Sequence, residues 1–254
     1  MVLRVASDYG VPKRRLELAA LEAGVAPRRY HRNLGLLGLH GQARLLEAKV
    51  GVAGLGGLGG LLTETLARAG VGRLVLTDPD SFADNNLNRQ AFSTEDNLGR
   101  PKVEEAAARL ARINSAVEVE VHQVEGDRDE FERLFAGAAV VCDALDNLPA
   151  RFALLDAARR LRVPFVHGAI AGMTGQVTTV FPEDPGLEVL YGPPREAPSR
   201  GVETVLGNPS PTPPMIAALE AQEVVKIVTG VGQPLRRKLL IVDAFTPYAA
   251  VIDL

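Results

Sequence analysis

A short apolar strand that runs straight into a glycine-rich turn and then a helix constrains this chain more than any other feature. Lys49 to Ala53 reads as the strand, Gly54-Leu55-Gly56-Gly57-Leu58-Gly59 as the turn, and Leu58 to Ala69 as the helix. The turn fits G-x-G-x-x-G in the context that gives the motif meaning, directly after a strand and at the opening of a helix. Small residues let a backbone approach a pyrophosphate, and a helix N-terminus offers free N–H groups and the positive end of a dipole. The next strand, Arg73 to Thr77, ends at Asp78. That is roughly the 20-residue distance at which a ribose-binding acid belongs. These residues leave NAD, FAD and ATP open, because all three carry phosphates and a ribose.

Strands and helices alternate around this unit. Helices are expected over Pro101 to Ile113, Asp129 to Phe135 and Leu148 to Leu161, with strands over Val117 to Val121, Ala138 to Asp143 and Val163 to Val166. Such alternation implies a parallel sheet with right-handed crossovers. After Gly168 the pattern changes. Gln176 to Phe181 is strand-like with no helix directly behind it, and Pro182 to Pro214 holds more than half of the 17 prolines and reads as a long loop. Ile216 to Val228 reads as a helix, and Leu239 to Val242 with Ala249 to Leu254 as a closing hairpin. The expected fold class is α/β: a Rossmann-like three-layer fold whose mainly parallel sheet is extended by antiparallel C-terminal strands. Residues 1–28 read as an N-terminal helical extension with a helix over Val11 to Ala23, its Leu16, Ala20 and Ala23 on one face; residues 29–254 read as a single domain.

Composition excludes several classes. With 46% hydrophobic residues the chain of 254 is neither disordered nor collagen-like. A formal net charge of -3 argues against nucleic acid as the main partner. No apolar run reaches the roughly 18 residues of a membrane span, and the N-terminus lacks the apolar stretch of a signal peptide. One cysteine excludes a disulfide within the chain and a zinc site made of two Cys-x-x-Cys pairs. A cytoplasmic, reduced protein is expected. Cys142 reads as a buried small hydrophobe in its apolar strand. His31, His40, His122 and His167 form no cluster and read as non-catalytic, Met1, Met173 and Met215 form no stripe, and Lys13-Arg14-Arg15 and Arg236-Arg237-Lys238 read as solvated charge.

A second set of polar residues narrows the nucleotide. Asp80 to Gln90 carries Asn86 and Arg89, and Lys102 follows in Gly99-Arg100-Pro101-Lys102. A dinucleotide held by the glycine turn has no need of two further cations. A triphosphate does, because negative charge builds up on the departing pyrophosphate. Asp146 follows the strand that ends in Asp143, at the C-terminal edge where open α/β sheets bind ligands. A carboxylate there suits Mg²⁺, which takes one or two carboxylates plus phosphate oxygens.

GLGGLG, DPDSFADNNLNRQ, GRPK and DALDN together resemble the activating-enzyme family of MoeB, ThiF and HesA, bacterial relatives of ubiquitin-activating enzymes. RYHRN at Arg29 to Asn33, Gly41-Gln42, Gly175-Gln176-Val177 and the closing LLIVDAFTPYAAVIDL fit it too, so the similarity covers about residues 29–254. The resemblance implies an ATP-binding adenylation domain with a crossover loop at about 182–214. It implies nucleotide contacts from Gly54, Gly56, Gly57, Gly59, Asp78, Asp80, Asn86, Arg89 and Lys102, a Mg²⁺ ligand in Asp146, and Arg32 reaching the triphosphate of the neighbouring subunit in a homodimer. Arg32, Arg89, Lys102 and Asp146 are then the catalytic set. The reaction it implies is attack by a carboxylate oxygen, usually of the C-terminal Gly-Gly of a ubiquitin-like sulfur carrier, on the α-phosphorus of ATP. A carboxylate is already ionised, so catalysis reduces to positioning and charge neutralisation.

The chain departs from the family in three respects, the first being that residues 1–28 match no part of its pattern. The zinc cysteine pairs of many members are absent, so no zinc is expected. The family's crossover cysteine would fall near Ser199 to Gly201, where there is none. The expected activity is therefore ATP-dependent adenylation of a sulfur carrier of the molybdopterin, tungstopterin or thiamine type, releasing pyrophosphate, without a catalytic cysteine and with a separate sulfurtransferase attacking the adenylate. The alternatives are activation of a small-molecule or tRNA-linked carboxylate, a NAD- or FAD-dependent oxidoreductase, and a non-catalytic scaffold.

Overall fold

The computed structural model describes residues 10–195 and 201–254, and of Glu203 the backbone alone. Eight strands form one sheet in the order β3-β2-β1-β4-β5-β6-β7-β8. They are β1 Lys49–Ala53, β2 Arg73–Thr77, β3 Glu118–His122, β4 Val140–Asp143, β5 Phe165–Ala171, β6 Thr174–Val180, β7 Lys238–Asp243 and β8 Tyr248–Asp253. The first five strands pair in parallel and the last three add antiparallel. The reversal has a local cause. β5 and β6 are joined by Gly172-Met173 alone, with Ala171 opposite Thr174 and Gly172 at φ +58. Two residues can connect only antiparallel strands, and tight hairpin turns favour glycine at positive φ.

Side chains alternate across a strand, so each central strand feeds two cores. Val50 and Val52 of β1 and Leu74 and Leu76 of β2 share one core with Cys142. That core is covered by α2 Leu34–Glu47, α3 Gly57–Ala69, α4 Lys102–Ile113 and α9 Thr212–Thr229. Ala53 and Val75 point the other way. There they meet α5 Arg128–Leu134 and α6 Leu148–Leu161. Gly51 lies on that second face, where a Cβ would stand 2.4 Å from the Phe135 ring. This is the three-layer Rossmann-like arrangement expected.

Four local expectations change. β5 continues to Ala171 and β6 begins at Thr174, because pairing with each other extends both beyond their apolar stretches. The proline-rich stretch is not one loop to Pro214. It contains the one-turn helices α7 Glu188–Tyr191 and α8 Glu203–Leu206, and α9 starts at Thr212 with Pro213 and Pro214 in its first turn. A missing N–H costs nothing there. The N-terminal helix α1, Lys13–Glu22, buries Glu17 and Leu21, whereas Ala23 is its exposed C-cap. Glu17 is taken inward by polar partners, the Tyr30 hydroxyl at 3.0 Å and Arg29 at 3.4 Å, which an apolar count cannot see. Arg236 and Arg237 are not simply solvated charge, since both grip the buried Asp184 at 2.7 and 2.8 Å and hold its carboxyl below the usual range. Of the expected crossover sequence, Pro198, Ser199 and Arg200 lie outside the described residues, as does Met1.

Candidate active site

A polar cavity of about 470 Å³ opens at the C-terminal ends of β1, β2 and β4. Gly54, Gly56, Gly57, Asp78, Asp80, Arg89, Lys102 and Asp146 all line it. The glycine turn forms because β1 ends where Gly54 N–H donates to Thr77 O at 2.8 Å, and Ala144 N–H to Ala53 O at 2.9 Å. The glycines fall into two groups. A Cβ on Gly54 would lie 2.4 Å from Ala144 O, and one on Gly59 1.8 Å from Gly54 O, so packing alone demands both. A Cβ on Gly56 would meet nothing closer than 3.8 Å. The bareness of Gly56 serves no packing purpose, and it faces the cavity. α3 begins there with no side-chain cap, which leaves its first N–H groups open.

Asp78 braces the turn. Its Oδ2 accepts from Leu55 N–H at 2.7 Å and its Oδ1 from Asp80 N–H at 2.9 Å. Burial pushes its carboxyl above the usual range, against the pull of Lys102. Lys102, the first residue of α4, is buried with Nζ 2.7 Å from Asp80 and 3.5 Å from Asp78. Arg89 is held over the cavity by Asn85 O at 2.9 Å and Asn88 Oδ1 at 2.8 Å.

Three expected residues stand apart from this lining. Gly59 is packed beneath the turn. Asn86 is buried in the loop it shapes, its Oδ1 accepting from Ala83 N–H at 3.0 Å. Arg32 is exposed on a turn held from both sides. On one side the Tyr30 hydroxyl, fully buried, receives Asn114 Nδ2 at 3.0 Å; on the other, Asn33 Nδ2 reaches Gln42 at 2.8 Å and Ala69 O at 3.2 Å. Sequence reasoning missed Gln90 and Arg151. Gln90 is buried in the lining, and its Oε1 has no partner among the described residues. Its place one residue after Arg89 was the available signal.

A second cavity of about 530 Å³ lies beside the first, and it was not anticipated. Ala169, Ala171, Gly175, Val202, Leu206 and Ile241 make it mostly apolar. Asp146, Arg151 and Ile170 line both cavities and so form their common wall. Behind it runs a buried polar chain. His167 Nδ1 is 2.7 Å from Asp143 Oδ2, and His167 Nε2 is 2.9 Å from the Tyr191 hydroxyl. Burial holds the His167 imidazole below its ordinary pKa, although Asp143 pulls the other way. Nearby, both Glu220 oxygens are buried without a partner among the described residues, and burial pushes that acid well above the usual range. Cys142 is fully buried as expected, its thiol driven well up by burial and then by Glu220 and Asp143. A thiol so buried lacks the exposure a nucleophile needs.

Parallel strands, a glycine turn opening an uncapped helix and an acid on the next strand define a Rossmann-like protein of the nucleotide-binding class. The ThiF family model matches residues 30–251, and the chain belongs to that family. It is 38% identical over 221 residues to the SAMP-activating enzyme E1 of Haloferax volcanii, covering 85% of this chain and 81% of that one. It is 35% identical over 234 residues to the sulfur carrier protein adenylyltransferase of Thermus thermophilus, covering 85% and 83%. Among solved structures, the microcin C7 biosynthetic enzyme MccB superposes with a TM-score of 0.74 over 95% of this chain and 76% of that one, at 22% identity, which speaks to the fold. The chain is an adenylyltransferase and uses ATP. Among the described residues no helix is long and apolar enough to cross a membrane.

Proposed function

We propose that this enzyme adenylates the C-terminal glycine carboxylate of a ubiquitin-like sulfur carrier, with ATP in the polar cavity and the carrier's tail in the apolar one. The observation that carries the reading is the common wall. A tail in the apolar cavity and a nucleotide on the glycine turn would meet at Asp146, Arg151 and Ile170. Small residues along the apolar cavity suit a chain end without side chains.

The open N–H groups of α3 and the bare Gly56 would receive phosphate oxygens. Arg89 and Lys102 would neutralise the pyrophosphate as it leaves, Lys102 exchanging its two carboxylates for phosphate. Asp78 and Asp80 would take the ribose side, and Asn86 would act through the loop that carries Arg89. Gly54, Gly57 and Gly59 keep the turn close to the ligand. Asp146 is an exposed carboxylate on the wall, 3.4 Å from Asn147 Nδ2. Among the described residues no group of three or more metal-ligating side chains exists. Mg²⁺ asks for less, one or two carboxylates completed by phosphate and water, so Asp146 fits it. The ion would supply charge neutralisation on the phosphates. Arg32 is exposed and does not line its own cavity, so it would serve the partner's in a homodimer. With Cys142 buried, the product is a bound acyl-adenylate that a separate sulfurtransferase attacks in the cytoplasm.

ATP–pyrophosphate exchange with a panel of purified sulfur carriers tests this, because exchange needs both ATP and the right carboxylate. Carrier-dependent exchange is the expected result; binding of NADH in place of ATP by calorimetry would overturn it. Mixing Arg32→Ala with Lys102→Ala subunits is expected to restore part of the activity in heterodimers. No rescue after verified subunit exchange would sink the shared site.

A further inference from the structure

The buried chain behind the common wall ends on a residue of the crossover segment. Tyr191 is the last residue of α7, a four-residue helix. A helix that short has little stability of its own. Its hydroxyl ties it to three other elements. Gln176 Nε2 of β6 is 2.7 Å away, Arg151 Nη1 of α6 3.4 Å, and His167 Nε2 of β5 2.9 Å.

Counting donors fixes the direction of every bond. A guanidinium N–H and an amide N–H can only donate, so the Tyr191 oxygen accepts from Arg151 and Gln176. Its own hydrogen is then left for His167 Nε2, which must be unprotonated. His167 therefore carries its proton on Nδ1 and donates it to Asp143 Oδ2. The lowered pKa of His167 agrees with a neutral ring. Asp143 Oδ1 is occupied by Leu145 N–H at 3.0 Å. Arg151 is further fixed by Leu145 O, which accepts from Nη2 at 2.7 Å and Nε at 3.2 Å. Tyr191, Gln176 and Arg151 all line the apolar cavity, and Arg151 alone of the three also lines the polar one.

We propose that Tyr191 is a positioning residue for the carboxylate substrate: its hydroxyl, held by His167 and Asp143, fastens the crossover segment to the sheet and sets Gln176 and Arg151 on the wall of the apolar cavity. This rests on the reading that the apolar cavity receives the carboxylate tail. The role is confined to that side. The glycine turn, Asp78, Lys102 and Arg89 make no contact with Tyr191 among the hydrogen bonds described, and Arg151, the one link to the polar cavity, keeps its shorter bonds to Leu145 O without Tyr191, so ATP binding is expected to change little.

Tyr191→Phe keeps the ring and removes the tie. Exchange kinetics are measured with the panel carrier that gives the fastest wild-type exchange. KM for the carrier is expected to rise about tenfold, the scale of a lost hydrogen bond to a charged partner, with KM for ATP within about twofold. Hydrogen exchange by mass spectrometry, on enzyme without carrier, is expected to show faster exchange over residues 187–192. Equal KM values for carrier in wild type and variant, or a fall in kcat with both KM values unchanged, overturns the proposal. Should Tyr191→Phe not fold, Gln176→Leu removes a donor to the same oxygen and is read by the same split. A wild type without any carrier-dependent exchange refutes the underlying reading instead, and is recognised before any variant is measured.

Discussion

The two cavities share a wall but are made in opposite ways. The polar one takes most of its charged lining from segments close in sequence to β1 and β2: Asp78, and the loop that carries Asp80 and Arg89 and leads to Lys102, beside the glycine turn. Its chemistry is charge on the surface of a ready-made helix end. The apolar one gathers residues of β5, β6, β7, α6 and the crossover segment, from Asp146 to Ile241, and its chemistry is shape. The difference teaches that a nucleotide needs charges that any chain order can supply locally. A chain end needs a slot, and a slot exists only once distant strands have paired.

Substitutions on the two sides separate these modes of construction. The largest effect is expected at the shared wall. Asp146→Asn keeps the shape and removes the charge, so exchange should fall about a hundredfold or more, the scale of one lost electrostatic group. Thermal unfolding should be unchanged, because Asp146 is exposed. Near-normal exchange would remove the metal role from Asp146 and leave the wall as a mere boundary. A smaller and one-sided effect is expected from Ala171→Leu, which fills the slot. KM for the carrier should rise about tenfold, while calorimetry gives the same ATP affinity within about twofold. If ATP affinity falls together with the carrier's, the cavities are not separable and the comparison fails. The Tyr191→Phe split follows the same logic from behind the wall, with nothing added to the slot itself.

Much of the architecture was legible because it is periodic. Val50 and Val52 on one face and Gly51 and Ala53 on the other announce a strand buried on both sides. The glycine turn announces its helix. Boundaries were less legible where pairing overrides pattern. Gly168 and Gly175 look like strand breakers, yet they lie inside β5 and β6. Gly168 is needed because a Cβ there would be 2.4 Å from the Glu220 carboxyl, and Gly175 because one would be 2.2 Å from Ile216. Both clashes come from α9, more than 40 residues away, and no local reading contains them.

The sequence by itself determined the class of fold, most of the charged lining of the polar cavity and the isolation of Cys142 in an apolar strand. Those follow from residue spacing, and spacing survives without coordinates. Tertiary structure decided the rest. It left Arg32 exposed outside the lining and set Gln90 into the lining with a buried oxygen that has no partner among the described residues. It also joined Asp143, His167 and Tyr191 into one chain under the crossover segment. The physical reason is range. Backbone periodicity is set by neighbours a few residues apart, whereas a hydrogen bond between His167 and Tyr191, or a slot between β5 and β7, exists only after the sheet has brought them within reach.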